Sequence, residues 1–202
     1  MPTAIFDFDE TLIYLPSALI WSKKIGLKKK LQIPMQFVLG KLDGLPGVHE
    51  KAFEWMVGKD VSETIDRMKN LPPVPGGVAY FKELSDQGYK IIVMSYSPGV
   101  FVSPWLNING LNAEIICPDF VMSAKVLQMV SDDPVTQIYL KEPRNAKAKV
   151  LAKMNIKPDI CVGDNKRRDG LCDKYVDIRK LEPKYYKNKI QQALKNLELF
   201  FR

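Results

Sequence analysis

The stretch Ala4-Ile5-Phe6-Asp7-Phe8-Asp9-Glu10-Thr11 decides how the rest of the chain is read. Ala4-Ile5-Phe6 is a short apolar run bounded by charge, the pattern of a buried strand. Residues two apart on a strand share a face. Asp7 and Asp9 therefore point one way at the strand's end, and Phe6 and Phe8 turn into the protein. Two adjacent carboxylates repel, so a bound divalent cation or a retained proton must offset them. Ligands of open α/β sheets sit beyond the carboxyl ends of the strands, which suits metal-assisted chemistry at this pair. A solvated acidic turn is the plainer alternative.

The next regular elements come much later. Val78, Phe81 and Leu84 mark one face of a helix that stops at Gly88. Ile91-Ile92-Val93-Met94 is a continuous apolar run, hence a central strand, and it ends at Ser95. A helix is expected over Pro98–Trp105, a short strand over Ala113–Cys117 and a helix over Asn145–Met154. Thr136-Gln137-Ile138-Tyr139-Leu140 alternates like a hairpin arm, and Asp132-Asp133-Pro134 before it reads as a turn. Ile160-Cys161-Val162 is a buried strand ending at Gly163-Asp164, and Tyr175–Ile178 is a shorter last strand. Tyr186, Ile190, Leu194, Leu197 and Phe201 fall on one face of a closing amphipathic helix.

Strands alternating with helices predict an α/β fold, a doubly wound, Rossmann-like parallel sheet. The first two strands lie much further apart than a βα unit needs. Residues 14–75 thus form an inserted helical subdomain after the first strand, ending in the breaker Leu71-Pro72-Pro73-Val74-Pro75-Gly76-Gly77. The core comprises 1–13 and 76–202.

A chain of 202 residues with 46% hydrophobic content suits one such domain carrying an insertion. Its net charge of +7 favours anionic partners. Cys117, Cys161 and Cys172 are odd in number and widely spaced, so neither a disulfide framework nor a zinc site is expected, and a reducing, cytoplasmic location fits. No signal peptide is expected, because Asp7 and Asp9 interrupt any apolar leader. The longest apolar stretch, Leu12–Trp21, contains Pro16 and is too short to span a bilayer.

Three strand ends now carry functional groups: Asp7 with Asp9, Ser95, and Asp164 with Asp169 close behind. A parallel sheet brings such ends together. A lysine of Asn145-Ala146-Lys147-Ala148-Lys149 is placed to join them. Here the chain resembles the haloacid dehalogenase-like (HAD) phosphohydrolases. Phe6-Asp7-Phe8-Asp9-Glu10-Thr11-Leu12 is similar to their first motif, Val93-Met94-Ser95 to the second, Lys147 to the third, and Val162-Gly163-Asp164 with Asp169 to the fourth.

The resemblance implies roles. Asp7 is the nucleophile that forms an aspartyl phosphate, and Asp9 is the general acid and then base, as in the phosphatase-type branch. Mg²⁺ is held by Asp7, by the backbone carbonyl of Asp9 and by Asp164. Asp169 holds a metal-bound water or orients Lys147. Ser95 and Lys147 bind phosphate, with Lys141 and Lys149 as alternatives for the lysine. His49 lies in the insertion, so histidine chemistry is not expected. Lys166-Arg167-Arg168, inside the fourth motif, has no role in this scheme.

The insertion has the size of the helical cap of the phosphoserine phosphatase-like group, and Ser95-Tyr96-Ser97-Pro98 resembles that group too. Caps of this kind close over the site and exclude water. Those enzymes hold the substrate ammonium with an acid soon after the first motif. This chain has no Asp or Glu between Glu10 and Asp43, and has Lys23, Lys24, Lys28, Lys29, Lys30 and Lys41 instead. The expected function is therefore Mg²⁺-dependent hydrolysis of a small, strongly anionic phosphorylated metabolite. Two alternatives stay open: a basic module docking on nucleic acid or an anionic membrane surface, and a phosphotransferase using the same intermediate.

Overall fold

The computed structural model describes residues 1–14, 17, 20, 53, 54, 56–130 and 132–183. The lysine-rich front of the insertion, His49 and the closing amphipathic helix lie outside the described residues. Among those described, the elements run β1 (Thr3–Asp7), α1 (Ser62–Lys69), α2 (Pro75–Asp86), β2 (Lys90–Met94), α3 (Gly99–Ile108), β3 (Glu114–Ile116), β4 (Phe120–Ser123), β5 (Val126–Met129), α4 (Pro134–Lys141), α5 (Ala146–Lys153), β6 (Ile160–Gly163), α6 (Lys166–Asp169), β7 (Lys174–Asp177) and α7 (Ile178–Leu181).

The main sheet has the order β3-β2-β1-β6-β7, and every pair in it is parallel. This is the α/β, Rossmann-like arrangement that the alternation of elements predicts. β1 lies at its centre. Phe6, Val93 and Val162 face one layer, which holds Phe81 of α2 and Phe101 and Trp105 of α3. Ile5, Ile92, Met94 and Cys161 face the other, with Tyr139 of α4 and Val150 and Leu151 of α5. Burial on both faces explains why β1, β2 and β6 are apolar throughout rather than alternating.

Register sets the site. Asp7 is level with Met94, and Phe6 with both Val93 and Val162. The chain therefore leaves the sheet at Asp7, Ser95 and Asp164 along one edge.

Two segments differ from the sequence reading. Thr136–Leu140 is helical, not a hairpin arm. Asp133 caps α4, its carboxylate accepting the Thr136 N–H at 2.6 Å, and Pro134 occupies the first turn. Thr136, Tyr139 and Leu140 are buried, at helical spacing, so core packing overrides the local alternation. The hairpin is upstream, where β4 and β5 pair antiparallel around Ala124 and Lys125, both at positive φ. Two central residues at positive φ make the tight turn that matches strand twist, normally announced by Asn-Gly or Asp-Gly. Ala-Lys gives no such signal.

The hairpin also ties down residues 58–61, ahead of α1. Gly58 N–H donates to Leu127 O at 2.9 Å, Leu127 N–H to Lys59 O at 3.1 Å and Val61 N–H to Lys125 O at 3.2 Å. Trp105 Nε1 donates to Leu71 O at 2.8 Å, and Met68 and Val61 join the core beside Phe8.

The cysteine reading is corrected as well. Cys161 of β6 and Cys172 form a disulfide across eleven positions, while Cys117 is a buried thiol. The loop through α6 returns beside β6, a proximity that sequence spacing does not reveal. Cysteine spacing thus no longer argues for a reducing compartment. No described helix is long and apolar enough to cross a membrane.

Candidate active site

The site is built where β1, β2 and β6 end. After Asp7 the chain turns tightly: Leu12 N–H donates to Phe8 O at 2.9 Å, and Glu10 takes a positive φ of 56°. This turn packs on α2, where a Cβ at Gly77 would collide with the Thr11 carbonyl. Thr11 Oγ1 reaches Asp7 Oδ2 at 3.5 Å.

Lys147 supplies the central contact. It lies near the start of α5, on the face that buries Ala146, Val150 and Leu151. Its Nζ is 2.6 Å from Asp7 Oδ1 and 2.7 Å from Asp169 Oδ1. Lys149 points away to Glu142, and Lys141 is exposed. Of the three candidate lysines, Lys147 is the one brought to the carboxylates. Burial opposes its charge, but Asp169 and Asp7 outweigh that effect and hold its pKa above the ordinary value.

Asp169 is positioned by its own loop. Asn165 caps α6, and its N–H donates to Asp169 Oδ2 at 3.2 Å. Gly163 makes the approach possible: a Cβ there would stand 2.5 Å from Asp169 side-chain atoms. Tyr175 Oη donates to the Gly163 carbonyl at 2.8 Å and pins the end of β6.

Asp9 faces a different environment. Its Oδ1 accepts the Ser17 N–H at 2.5 Å, and its Oδ2 accepts the hydroxyls of Ser95 at 3.3 Å and Ser97 at 3.4 Å. Ser97 N–H donates to Ser95 Oγ at 3.0 Å, and the Ser17 and Ser97 hydroxyls share a hydrogen bond. Burial raises the Asp9 pKa, and the bonds from Ser17 pull against that shift.

Carboxylate oxygens of Asp7, Asp164 and Asp169 all lie within 4.8 Å of one another. Burial, opposed by Lys147 and reinforced by Asp169, pushes Asp7 up to about 6. Burial and then repulsion from Asp7 raise Asp164 well above the carboxylate range. Ionised together, these groups need more positive charge than Lys147 provides. A hard dication that takes several oxygen ligands fits this donor set. The Asp9 carboxylate is outside the cluster, turned to the serines.

Seven of the residues singled out in the sequence thus converge. Asp7, Lys147, Asp164 and Asp169 gather on one side, and Asp9 and Ser95 on the other, with Arg168 of the unassigned basic run at Asp164, 3.4 Å from its Oδ1. Sequence reasoning missed the parts of Ser17, Ser97 and Thr11. Ser97 had a signal, lying three residues past the end of β2. Ser17 had none, because nothing in its local pattern announces contacts to Asp9 eight positions before it and Ser97 eighty positions after it.

Solved structures of the same architecture carry the comparison further. The phospho-aspartyl intermediate analogue of phosphoserine phosphatase superposes with a TM-score of 0.60 at 20% identity, covering 92% of this chain and 99% of that one. The fold is that of the HAD-like phosphatases. A phosphoserine phosphohydrolase-like protein from Francisella tularensis subsp. tularensis SCHU S4 gives 0.59 at 18% identity, covering 98% and 93% of the two chains. A HAD family hydrolase from Salmonella enterica subsp. enterica serovar Typhi gives 0.56 at 15% identity, over 83% of this HAD-fold chain and 59% of that protein. No protein-family profile and no curated protein sequence matches the chain.

Proposed function

We propose that this protein is a Mg²⁺-dependent phosphomonoester hydrolase that works through an aspartyl phosphate on Asp7. The observation that carries the reading is the split environment of the two β1 acids. Asp7 is clamped by Lys147 beside two further carboxylates, whereas Asp9 is held by serines away from them. Carboxylates with different surroundings take different roles.

In the first step a carboxylate oxygen of Asp7 bonds to phosphorus as the bond from phosphorus to the leaving oxygen breaks. Asp9, whose raised pKa favours the protonated form, gives its proton to that oxygen. In the second step Asp9 takes a proton from water. The water oxygen bonds to phosphorus, the bond to Asp7 breaks, and phosphate leaves with the nucleophile restored. Lys147 holds Asp7 in place through both steps, and Ser95 donates to a phosphoryl oxygen. Mg²⁺ would be held by Asp7, Asp164 and the Asp9 carbonyl, with Asp169 beside it, and when bound supplies positive charge against the phosphoryl oxygens.

The solved relatives include a phosphoserine phosphatase with bound substrate, which supports a phosphorylated small molecule as the substrate class. The lysine-rich, acid-poor run from Thr11 to Leu42 favours a more anionic compound than phosphoserine. Residues 14–75 are assigned as a cap over the core formed by 1–13 and 76–202. Release of nitrophenol from p-nitrophenyl phosphate with added Mg²⁺ tests the reading. Turnover lost on chelation and in Asp7→Asn is expected, and no turnover above blank with Mg²⁺, Mn²⁺ or Co²⁺ contradicts it.

A further inference from the structure

The short link between β2 and α3 divides its side chains by direction. Tyr96 turns to the layer of α4 and α5, edge-on to Tyr139 with ring centroids 5.2 Å apart. Its hydroxyl donates to the Pro143 carbonyl. Ser95 and Ser97 turn the other way, to Asp9. Pro98 follows directly and restricts the backbone of Ser97 before it. Ser97 is 2% exposed, and Ser95 and Ser17 are buried completely.

The hydrogens on these serines limit what each can do. A serine hydroxyl has one hydrogen to donate and two lone pairs with which to accept. Ser97 Oγ donates to Asp9 Oδ2 at 3.4 Å, so the Ser17 hydroxyl is the donor in the bond that the two serines share. Ser95 Oγ accepts the Ser97 N–H at 3.0 Å and gives its own hydrogen to the same Asp9 oxygen at 3.3 Å. Ser95 cannot give that hydrogen to Asp9 and to a phosphoryl oxygen at once. When it turns to the phosphate, Oδ2 keeps the Ser97 hydroxyl and Oδ1 keeps the Ser17 N–H. Both hydroxyl contacts to Oδ2 are long, and withdrawal of Ser95 leaves Ser97 as the one that can close on it. A hydroxyl accepts as well as donates, so this contact persists whether or not Asp9 carries a proton.

We propose that Ser97 is a positioning residue for Asp9: its hydroxyl, backed by that of Ser17, keeps the carboxyl group aimed at the leaving oxygen while Ser95 engages the phosphate. The inference rests on the phosphatase reading and adds a residue which that reading does not use. Asp9 protonates the leaving oxygen only from within hydrogen-bond reach of it. A carboxyl group held at one oxygen alone swings about that contact, and a misplacement of about 1 Å costs on the order of 10²-fold in rate. Ser97 provides the second point of hold, on the oxygen that the Ser17 N–H does not touch.

Leaving-group dependence is the test, because nitrophenolate departs readily without a proton and phenolate does not. The intact protein, Ser97→Ala and Ser17→Ala are compared with Mg²⁺ on p-nitrophenyl phosphate and on phenyl phosphate, with melting temperatures from the same samples. kcat/KM reports the steps up to departure of the phenol, where the acid acts. Ser97→Ala is expected to lower it about tenfold more on phenyl phosphate than on p-nitrophenyl phosphate, part of the 10²–10⁴-fold that a general acid contributes. Ser17→Ala keeps its N–H on Asp9 and is expected to move the ratio the same way by a smaller factor. If Ser97→Ala does not fold, the ratio in Ser17→Ala decides. An equal fall on both substrates would assign the serines to the scaffold and overturn the proposal. A ratio unchanged from wild type also overturns it and leaves the hydrolase reading standing. Turnover of neither phosphate by the wild type removes that reading, and the proposal with it.

Discussion

Gly163 lies so close to Asp169 that a Cβ on the glycine would stand 2.5 Å from the Asp169 carboxylate carbon's neighbours Cβ and Oδ2. The glycine before the strand-end acid is therefore a spacing element. It lets Asp169 fold back under β6 and meet Lys147 at 2.7 Å. Gly163→Ala must push Asp169 outward or bend β6. Overpacking of this sort costs about 1–3 kcal/mol. Urea denaturation should show a loss in that range, and turnover should fall by about tenfold or more as Lys147 and Asp7 lose their alignment. A variant with wild-type stability and rate would mean that Asp169 needs no such approach.

Lys147 is the buried cation on which the site depends. Removing one partner of a buried ion pair leaves uncompensated charge and costs about 3–5 kcal/mol. Lys147→Met should lose stability on that scale in metal-free buffer, and added Mg²⁺ should recover part of it. Lys149→Met is the control, since Lys149 pairs with Glu142 at the surface, and exposed pairs contribute little. Denaturation midpoints of the two variants, with and without Mg²⁺, give the comparison. Equal effects would contradict the choice of Lys147.

The Asp7 shift gives a signed pH dependence. Burial first, against the pull of Lys147, moves Asp7 from 3.8 up to about 6 in the folded protein. The folded state thus favours the protonated form. The stability from this group is present in full below about pH 4 and is lost as pH rises through about 6. In chelator, the melting temperature of wild type minus that of Asp7→Asn should therefore fall between those values, because asparagine keeps the uncharged shape. Asp164 shifts in the same direction and contributes to both proteins. Mg²⁺ should flatten the difference curve. A difference that rises with pH in chelator would contradict the sign.

Much of the site can be read from residue pattern because strand ends in a parallel sheet share an edge. The apolar runs before Asp7, Ser95 and Asp164 locate those residues without coordinates. The choice among Lys141, Lys147 and Lys149 cannot be read that way. Lys141 ends α4, and between Lys147 and Lys149 the choice depends on which face of α5 turns inward, which Ala146, Val150 and Leu151 decide only once they pack. The α4 segment misleads because Thr136, Ile138 and Leu140 alternate by chance, while the Asp133 cap and the burial of Tyr139 set the helix. The β4–β5 turn and the Ser17 contact to Asp9 leave no local trace. One uses positive φ at Ala124 and Lys125, and the other joins residues whose meeting depends on the tertiary fold.

The central claim is a covalent bond between Asp7 and phosphorus, and chemical trapping tests it most directly. An acyl phosphate is reduced by borohydride, which converts the aspartate to homoserine. The protein should be mixed with Mg²⁺ and p-nitrophenyl phosphate, quenched in acid, reduced, digested and sequenced by mass spectrometry. Homoserine at position 7, absent without substrate and absent in Asp7→Asn, is the predicted result. Turnover with no homoserine at position 7, or with homoserine at Asp9 or Asp164 instead, would contradict the account.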